Sequence, residues 1–488
     1  LSAIKKLASQ TAVYGLSSIL GRLLNYLLVP LYTNIFLPEE YGVVTELYTY
    51  VSFFAVMLTY GMETAFFRYS QKEDTNQTTV YATALLSVIA TTAIFLLFGF
   101  LFSDQIAQSL SYQQHVWYIQ CFLIIIAIDA VTAIPFAKLR AENKALRFAG
   151  IRLVNIFLNI GVNLFFLLLC PALVKDYPEQ LSHFYDAQIG VGYIFIANLL
   201  ASVTTLLLLM PQFKIKLQFD KKLWNELIKY ALPLLLVGLA GMINETADRA
   251  MLKYLLPKGS NVMAEIGIYG ACYKISIIMT IFIQTFRYAA EPFFFSHAKN
   301  KDANQLYADV MKYFVIACAV IFLITLLYLD IVKFFVGKKY WAGLSIVPIL
   351  LLANWFLGIY FNLTVWYKLT NKTGYGAGIS IFGALLTIVF NFIFIPLFGY
   401  YGAACTTLIC YAAMMLTSYF QGQKHFPINY DLKGIIGYII FAITLYLLSN
   451  LFANYSVSLK LLLNTVLLFV FLGTVFKLEK KQFKSVAL

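Results

Sequence analysis

Apolar stretches of about twenty residues or more follow one another along the whole chain, and the short segments between them collect most of the charge. A helix needs about twenty apolar residues to cross a bilayer, so this pattern predicts an all-α integral membrane protein. Fourteen transmembrane helices are expected, near residues 11–36, 41–66, 79–102, 115–139, 147–170, 187–210, 230–256, 265–290, 310–336, 342–367, 374–397, 399–422, 433–452 and 457–477. The first run follows Lys5-Lys6 as the apolar part of a signal peptide would. It is too long for that role and lacks a small-x-small cleavage site, so it reads as a retained span.

The pattern also repeats. Shifting the chain by 228 positions lays Tyr269-Gly270 on Tyr41-Gly42, Glu291 on Glu63 and Phe294-Phe295 on Phe66-Phe67. Asn371-Lys372 falls on Asn143-Lys144, Ala377-Gly378-Ile379 on Ala149-Gly150-Ile151, and Asn391 on Asn163. Two copies of a multi-helix unit are the signature of secondary transporters, whose substrate path lies between the repeats. Six spans return the chain to the side it started from, so both copies insert the same way up. They are expected to form two six-helix lobes about a pseudo-twofold along the membrane normal. The expected organisation is an N-terminal lobe over 1–210 and an amphipathic linker over 211–229. A C-terminal lobe over 230–422 follows, then an appended helical hairpin and tail over 423–488.

Composition agrees with a membrane protein: 61% of residues are hydrophobic, 12% are charged, and the mean hydropathy is +0.77. The net charge of +13 would suggest nucleic acid in a soluble protein. Here its placement points to topology instead. With both termini cytoplasmic, the outer segments hold only Lys175, Lys258, Lys338, Lys339 and Lys460, while the inner ones hold most of the remaining Lys and Arg. The six cysteines lie in or beside apolar segments without zinc or redox spacing, and the four histidines are scattered. No metal or other cofactor is expected, no nucleic acid partner is implied, and Na+ or H+ is the candidate coupling ion.

Charges inside spans carry the functional signal, because each costs a few kcal/mol or more at bilayer depth and needs a cavity or a partner. The densest group is in the seventh span, where Glu245, Arg249 and Lys253 share one helix face and Asp248 lies beside them. Either the stripe lines a cavity, or Glu245 and Arg249 form an internal ion pair. Arg22 lies one step from the repeat equivalent of Arg249, and a guanidinium fork suits phosphate oxygens. Arg152 and Arg287 complete the candidate cavity cations. Glu245, Asp248 and Asp129 are the candidate coupling or counter-ion acids, and Asp129 and Arg152 are candidates to pair. Glu46 and Lys274 occupy equivalent repeat positions with opposite charge and are expected to meet as an outer gate. Glu63 and Glu291, near Arg68 and Arg287, read as one structural ion pair built twice.

The first span with Arg22, then Pro30-Leu31-Tyr32-Thr33 and Leu37-Pro38-Glu39-Glu40-Tyr41-Gly42, closely resembles bacterial polysaccharide transporters. The later Pro396-Leu397-Phe398-Gly399-Tyr400-Tyr401-Gly402-Ala403-Ala404 resembles the turn between spans eleven and twelve of the same family. The whole chain is similar to O-antigen-type oligosaccharide flippases of the multidrug/oligosaccharidyl-lipid/polysaccharide exporter superfamily. That resemblance implies alternating access, a cationic cavity for pyrophosphate, and export of polyprenyl-pyrophosphate-linked glycans across the bacterial cytoplasmic membrane. It implies lipid-linked oligosaccharide and membrane lipids as partners, with other polysaccharide-assembly membrane proteins as candidates. A cation-coupled multidrug exporter and a peptidoglycan-precursor (lipid II) flippase share the architecture. A membrane glycan ligase or polymerase is the alternative from another class, but the longest outer connection, near 171–186, is short for a catalytic loop.

Overall fold

The computed structural model describes residues 23–486 except 25, 73–74, 182–184, 215–217, 258, 299–302 and 371. Every regular element among the described residues is helical. A bilayer offers no water to backbone N–H and C=O groups, and a helix satisfies them within one segment. Among the described residues, twelve helices are long and apolar enough to span. One of these, Gly374–His425, has 52 residues and would reach about 78 Å if straight, more than twice the hydrocarbon thickness. It reverses at Gly399 (φ 58°, ψ −141°), where Gly402 packs against the backbone of Phe394. Expected spans eleven and twelve therefore share this element. The first expected span is described only from residue 23, as α1 (Leu28–Ile35). These two observations reconcile twelve long helices with about fourteen spans.

The chain divides into two compact units, residues 1–254 with 261–267, and residues 255–260 with 268–488. The first contains α1, α2 (Pro38–Thr59), α3 (Met62–Ser70), α4 (Gln77–Leu101), α5 (Ser103–Ser109), α6 (Val116–Ala141), α7 (Ala145–Leu164) and α8 (Gly192–Leu209). It also takes in α9 (Lys221–Leu255) through Tyr254 and the start of α10 (Val262–His297). Local sequence sets the helix starts. Pro38 opens α2 while Glu40 accepts the Leu37 N–H at 2.7 Å, and Asn76 and Asp220 cap α4 and α9. Tyr60 and Gly61, both at positive φ, separate α2 from α3, and a Cβ on Gly61 would meet the Ala231 carbonyl at 2.9 Å.

This division differs from the one the repeat suggests, which starts the second lobe at residue 230. The reason is in the contacts of α9. Leu223, Leu227 and Ala231 are buried in a core with Phe66, Tyr81 and Ile134. The Trp224 indole donates to Ser87 Oγ at 2.7 Å, and the Tyr81 hydroxyl donates to the Gln212 carbonyl at 3.0 Å. The helix that opens the second sequence repeat is thus packed and hydrogen-bonded with the first.

The second unit holds the rest of α10, α11 (Ala303–Leu327), α12 (Leu329–Val332), α13 (Val347–Leu363), α14 (Val365–Leu369), α15 (Gly374–His425), α16 (Leu432–Ser449) and α17 (Val457–Val486). The last two helices, which have no repeat counterpart, are fastened to α11 by polar groups at both ends. Lys312 meets Glu479 at 2.8 Å, both almost fully buried, and the Tyr438 hydroxyl donates to the same carboxylate at 2.7 Å. At the other end Asn464 donates to the Leu327 carbonyl at 2.6 Å, and Asp330 binds Lys460 at 2.8 Å and Lys333 at 2.9 Å.

Removing one partner of a buried ion pair costs about 3–5 kcal/mol, because the other charge stays buried without compensation. Lys312→Met should therefore lower the melting temperature of the detergent-solubilised protein sharply. Adding Glu479→Leu should recover most of the loss, and a double variant as unstable as the single would contradict the pairing. Hydrogen bonds from Lys460 and Lys333 hold the Asp330 carboxyl below its ordinary pKa of 3.8. A depressed folded-state pKa gives stability that is complete above the unfolded value and lost as pH falls through the folded one. The melting difference between wild type and Asp330→Asn should stay constant at neutral pH and shrink only below about pH 4.

Candidate functional site

Glu46 in α2 has no exposed surface. Its carboxylate accepts from Lys253 Nζ at 2.7 Å, from the Tyr112 hydroxyl at 2.6 Å and from the Tyr50 hydroxyl at 3.1 Å. Lys253 also donates to the Leu110 carbonyl at 2.7 Å, and the Tyr50 and Tyr254 hydroxyls lie 3.3 Å apart. Burial pushes the Tyr112 pKa up, and the neighbouring Glu46 charge adds to the effect, so this hydroxyl remains a proton donor. Charge-assisted bonds of this kind are the strong ones in a dry site. They tie α2, α9 and the connection after α5 together. Next to them Gly42 packs on the Met263 backbone and Gly267 on the Pro38 backbone, leaving no room for a side chain at either position. Asn261 donates to Glu39 at 2.7 Å in the same region. Glu46 thus finds its cation in Lys253, which corrects the expected pairing with Lys274; Lys274 lies half-buried in the second unit.

One turn before Lys253, the Arg249 guanidinium donates to the Glu245 carbonyl at 3.0 Å and approaches the Asp248 carboxylate at 3.9 Å. Asp248 is buried, and the Glu245 side chain is exposed. The shared helix face therefore does not produce the Glu245–Arg249 side-chain pair, since Arg249 turns to the backbone and to its neighbour. Arg22 lies outside the described residues.

A second polar group runs through the middle of the first unit. Asp129 sits near the centre of α6 and accepts from Ser202 of α8 at 3.1 Å. Asn198 donates to the Tyr48 hydroxyl at 2.6 Å, and Asn155 to Thr205 at 2.9 Å. Arg152 is an electrostatic neighbour of Asp129, and its guanidinium stacks on Phe136 at 4.1 Å. The two do not form a contact pair, because the aromatic face takes the guanidinium. Both Asp129 and Arg152 keep exposed surface. An exposed charge near the centre of a span is tolerable in an aqueous recess and very costly against lipid.

The two repeat-related acids each bind a cation, Glu63 to Arg140 and Glu291 to Lys368. These cations replace the expected neighbours Arg68 and Arg287, which lie over aromatic rings instead, Arg68 on Tyr230 at 4.4 Å and Arg287 on Phe361 at 4.0 Å. Arg140 and Lys368 are themselves 228 positions apart, so the same bridge links the same pair of spans in both copies. The offset that aligns the acids was the signal for these cations. Tyr50, one helical turn from Glu46, was also within reach of the sequence. Tyr112 was not, because only the folded chain brings it to Glu46.

Residues 7–298, more than half of the chain, match the family described as polysaccharide biosynthesis protein. Comparison with curated protein sequences finds no match. Among solved structures, the lipid II flippase MurJ in an inward closed conformation is 14% identical with a TM-score of 0.70, covering 95% of this chain and 98% of that one. An inward-facing multidrug resistance MATE family transporter of the MOP superfamily is 13% identical with a TM-score of 0.64, covering 83% and 94%. A MATE structure in the straight conformation is 14% identical with a TM-score of 0.58, covering 86% and 95%. The likeness to these solved structures establishes a shared fold, and the sequence match establishes that this chain belongs to the polysaccharide biosynthesis protein family.

Proposed function

We propose that this protein is a flippase that carries a polyprenyl-pyrophosphate-linked oligosaccharide from the inner to the outer leaflet of the bacterial cytoplasmic membrane. In this reading both termini are cytoplasmic and transport proceeds by alternating access. The observation that carries it is the exposed charge inside spans, Asp129 near the centre of α6 and Arg152 in α7, in a chain of this family and fold. A purely structural helix bundle has no reason to keep exposed charges inside its spans. Arg152 and Arg249 are the cations assigned to the pyrophosphate, with Asp129 and Asp248 as their counter-charges. Aromatic stacking holds Arg152 with its N–H edge free for phosphate oxygens. Na+ or H+ remains the candidate drive.

The Glu46–Lys253 bridge takes the role of the outer gate in this mechanism. It joins a helix of the first sequence repeat to the opening helix of the second, at the end expected to face outward. Alternating access requires such a bridge to open and re-form. A buried carboxylate with three donors makes the closed state specific, and losing one partner penalises that state.

A hydrogen bond to a charged group contributes about 1.5–3 kcal/mol, so losing one guanidinium should slow translocation about 10- to 100-fold. Arg152→Gln and Arg249→Gln should each show this loss for a fluorescent lipid-pyrophosphate glycan in vesicles, with the melting temperature unchanged in Arg152→Gln and lowered in Arg249→Gln, which leaves Asp248 buried without its cation. Normal transport by both variants would overturn the cationic cavity. Repeating the assay with and without proton and sodium gradients identifies the driving ion.

For the gate, Glu46→Lys and Lys253→Glu should each abolish transport, and the double exchange should restore part of it. A double variant no better than either single would exclude pairing as the functional element.

A further inference from the structure

The connection from α11 to α13 departs from its counterpart in the first copy. It folds as α12, a 3₁₀ turn over Lys333–Phe335 and a 3₁₀ stretch over Lys338–Ile346 that runs into α13. Shifted back by 228 positions, residues 330–341 fall on 102–113, which contain Asp104 and no lysine or arginine. Lys338 and Lys339 fall on Leu110 and Ser111. The Leu110 carbonyl is turned to Lys253, whereas Lys338 and Lys339 are exposed and form no ion pair among the described residues. Lysines on the exported side also oppose the bias that orients a membrane protein. Lys338, Lys339 and Lys460 are three of the five cations expected on that side, all in the second unit. Joining two spans does not require them, as the first copy shows.

The surroundings hold these charges outward and leave them uncompensated. Asp330 is the only acid of the segment, and it is already met by both Lys333 and Lys460. The other turns at this end of the unit, 398–402 and 450–459, contain no acid. Four lysines therefore face one carboxylate. The turn that carries them is fixed. The Trp341 indole donates to the Lys333 carbonyl at 3.0 Å and the Val336 carbonyl at 3.2 Å, and its ring lies 4.9 Å from the Lys333 ammonium. Tyr340, fully buried, donates its N–H to the Gly337 carbonyl at 2.9 Å. Binding at Lys338 and Lys339 thus requires little further ordering of the backbone. On the same segment Ile331 and Phe334 are 55% and 67% exposed, so apolar surface stands beside the cations.

Depth fits as well. The continuous helical stretch Lys338–Leu369 has 32 residues and extends about 48 Å even at the α-helical rise, well beyond the ~30 Å hydrocarbon layer. Its first turn therefore emerges at headgroup level. We propose that residues 330–341 together with Lys460 form a surface for anionic phospholipid headgroups of the phosphatidylglycerol type. Lys338 and Lys339 meet the lipid phosphates, and Ile331 and Phe334 enter the acyl boundary. Charge selects the lipid class: a surplus of lysine favours a phosphate left unneutralised over phosphatidylcholine, whose own ammonium cancels it. This surface is separate from the cations assigned to the transported pyrophosphate.

Photocrosslinking tests the assignment without a transport assay. The full chain is reconstituted in nanodiscs with a trace of diazirine-bearing phosphatidylglycerol or phosphatidylcholine, and adducts on residues 329–346 are quantified by peptide mass spectrometry. A lysine near an anionic lipid surface contributes about 1 kcal/mol, so the two unpaired ones correspond to about 30-fold. At low salt, wild type should form phosphatidylglycerol adducts on this segment in preference to phosphatidylcholine adducts by about that factor or more. Replacing both lysines, Lys338→Gln with Lys339→Gln, should remove about 30-fold of the preference and leave adducts elsewhere on the chain unchanged. Equal adducts from the two lipids in wild type, which depends on no variant folding, would overturn the proposal. So would an unchanged preference in the double variant. Displacement by millimolar glycerol phosphate would assign the lysines to a soluble phosphate compound, and crosslinks to a second copy in place of lipid would assign them to an assembly. Either result would also overturn the lipid surface.

Discussion

Charge stripped of water at bilayer depth must be met by other protein groups, and this constraint organises the molecule. Glu46 shows it most plainly. Its carboxylate has no exposed surface and is satisfied only because an ammonium and two phenols from separate elements converge on it. The arrangement brings together α2, the end of α9 and the connection after α5, and it helps draw the opening helix of the second repeat into the first compact unit. Lys312 and Glu479 apply the same rule in the second unit, where they fix the two additional helices.

The two copies of the repeat separate frame from function. Glu63–Arg140 and Glu291–Lys368 join corresponding spans in both halves, which marks them as part of the frame. Asp129, Arg152, Arg249 and Arg287 have no matching charge in the other half, so each reflects a demand that the frame does not make. In the first unit Asp129 and Arg152 keep exposed surface and Arg249 is half-buried, and in the second Arg287 lies over Phe361. The proposed substrate path rests on that asymmetry.

The helical membrane architecture, the repeat and the turn at Gly399 were legible along the chain, whereas the break at Tyr60-Gly61 falls inside the expected span 41–66. Hydropathy, glycine and helix-capping residues act over a few positions, and local order exposes them directly. The acids of the frame bridges were legible too, and their cations would have followed from the same offset of 228. Pairings were less accessible. Glu46 was matched with Lys274 by symmetry, whereas the fold gives it Lys253; Arg249 was matched with Glu245 by helical spacing, whereas it bonds the backbone.

By itself, then, the sequence determined that the chain is a series of membrane-length helices, that it turns at Gly399, that it is built twice, and which residues carry charge into the apolar segments. Those properties depend on composition and period. Tertiary structure alone decided which charges meet and that the opening helix of the second repeat packs with the first. Partners such as Tyr112 and Glu46 are 66 positions apart, and side-chain geometry over a few ångströms chooses among many compatible pairs. No local pattern encodes that choice, because its energy comes from desolvation in the assembled interior.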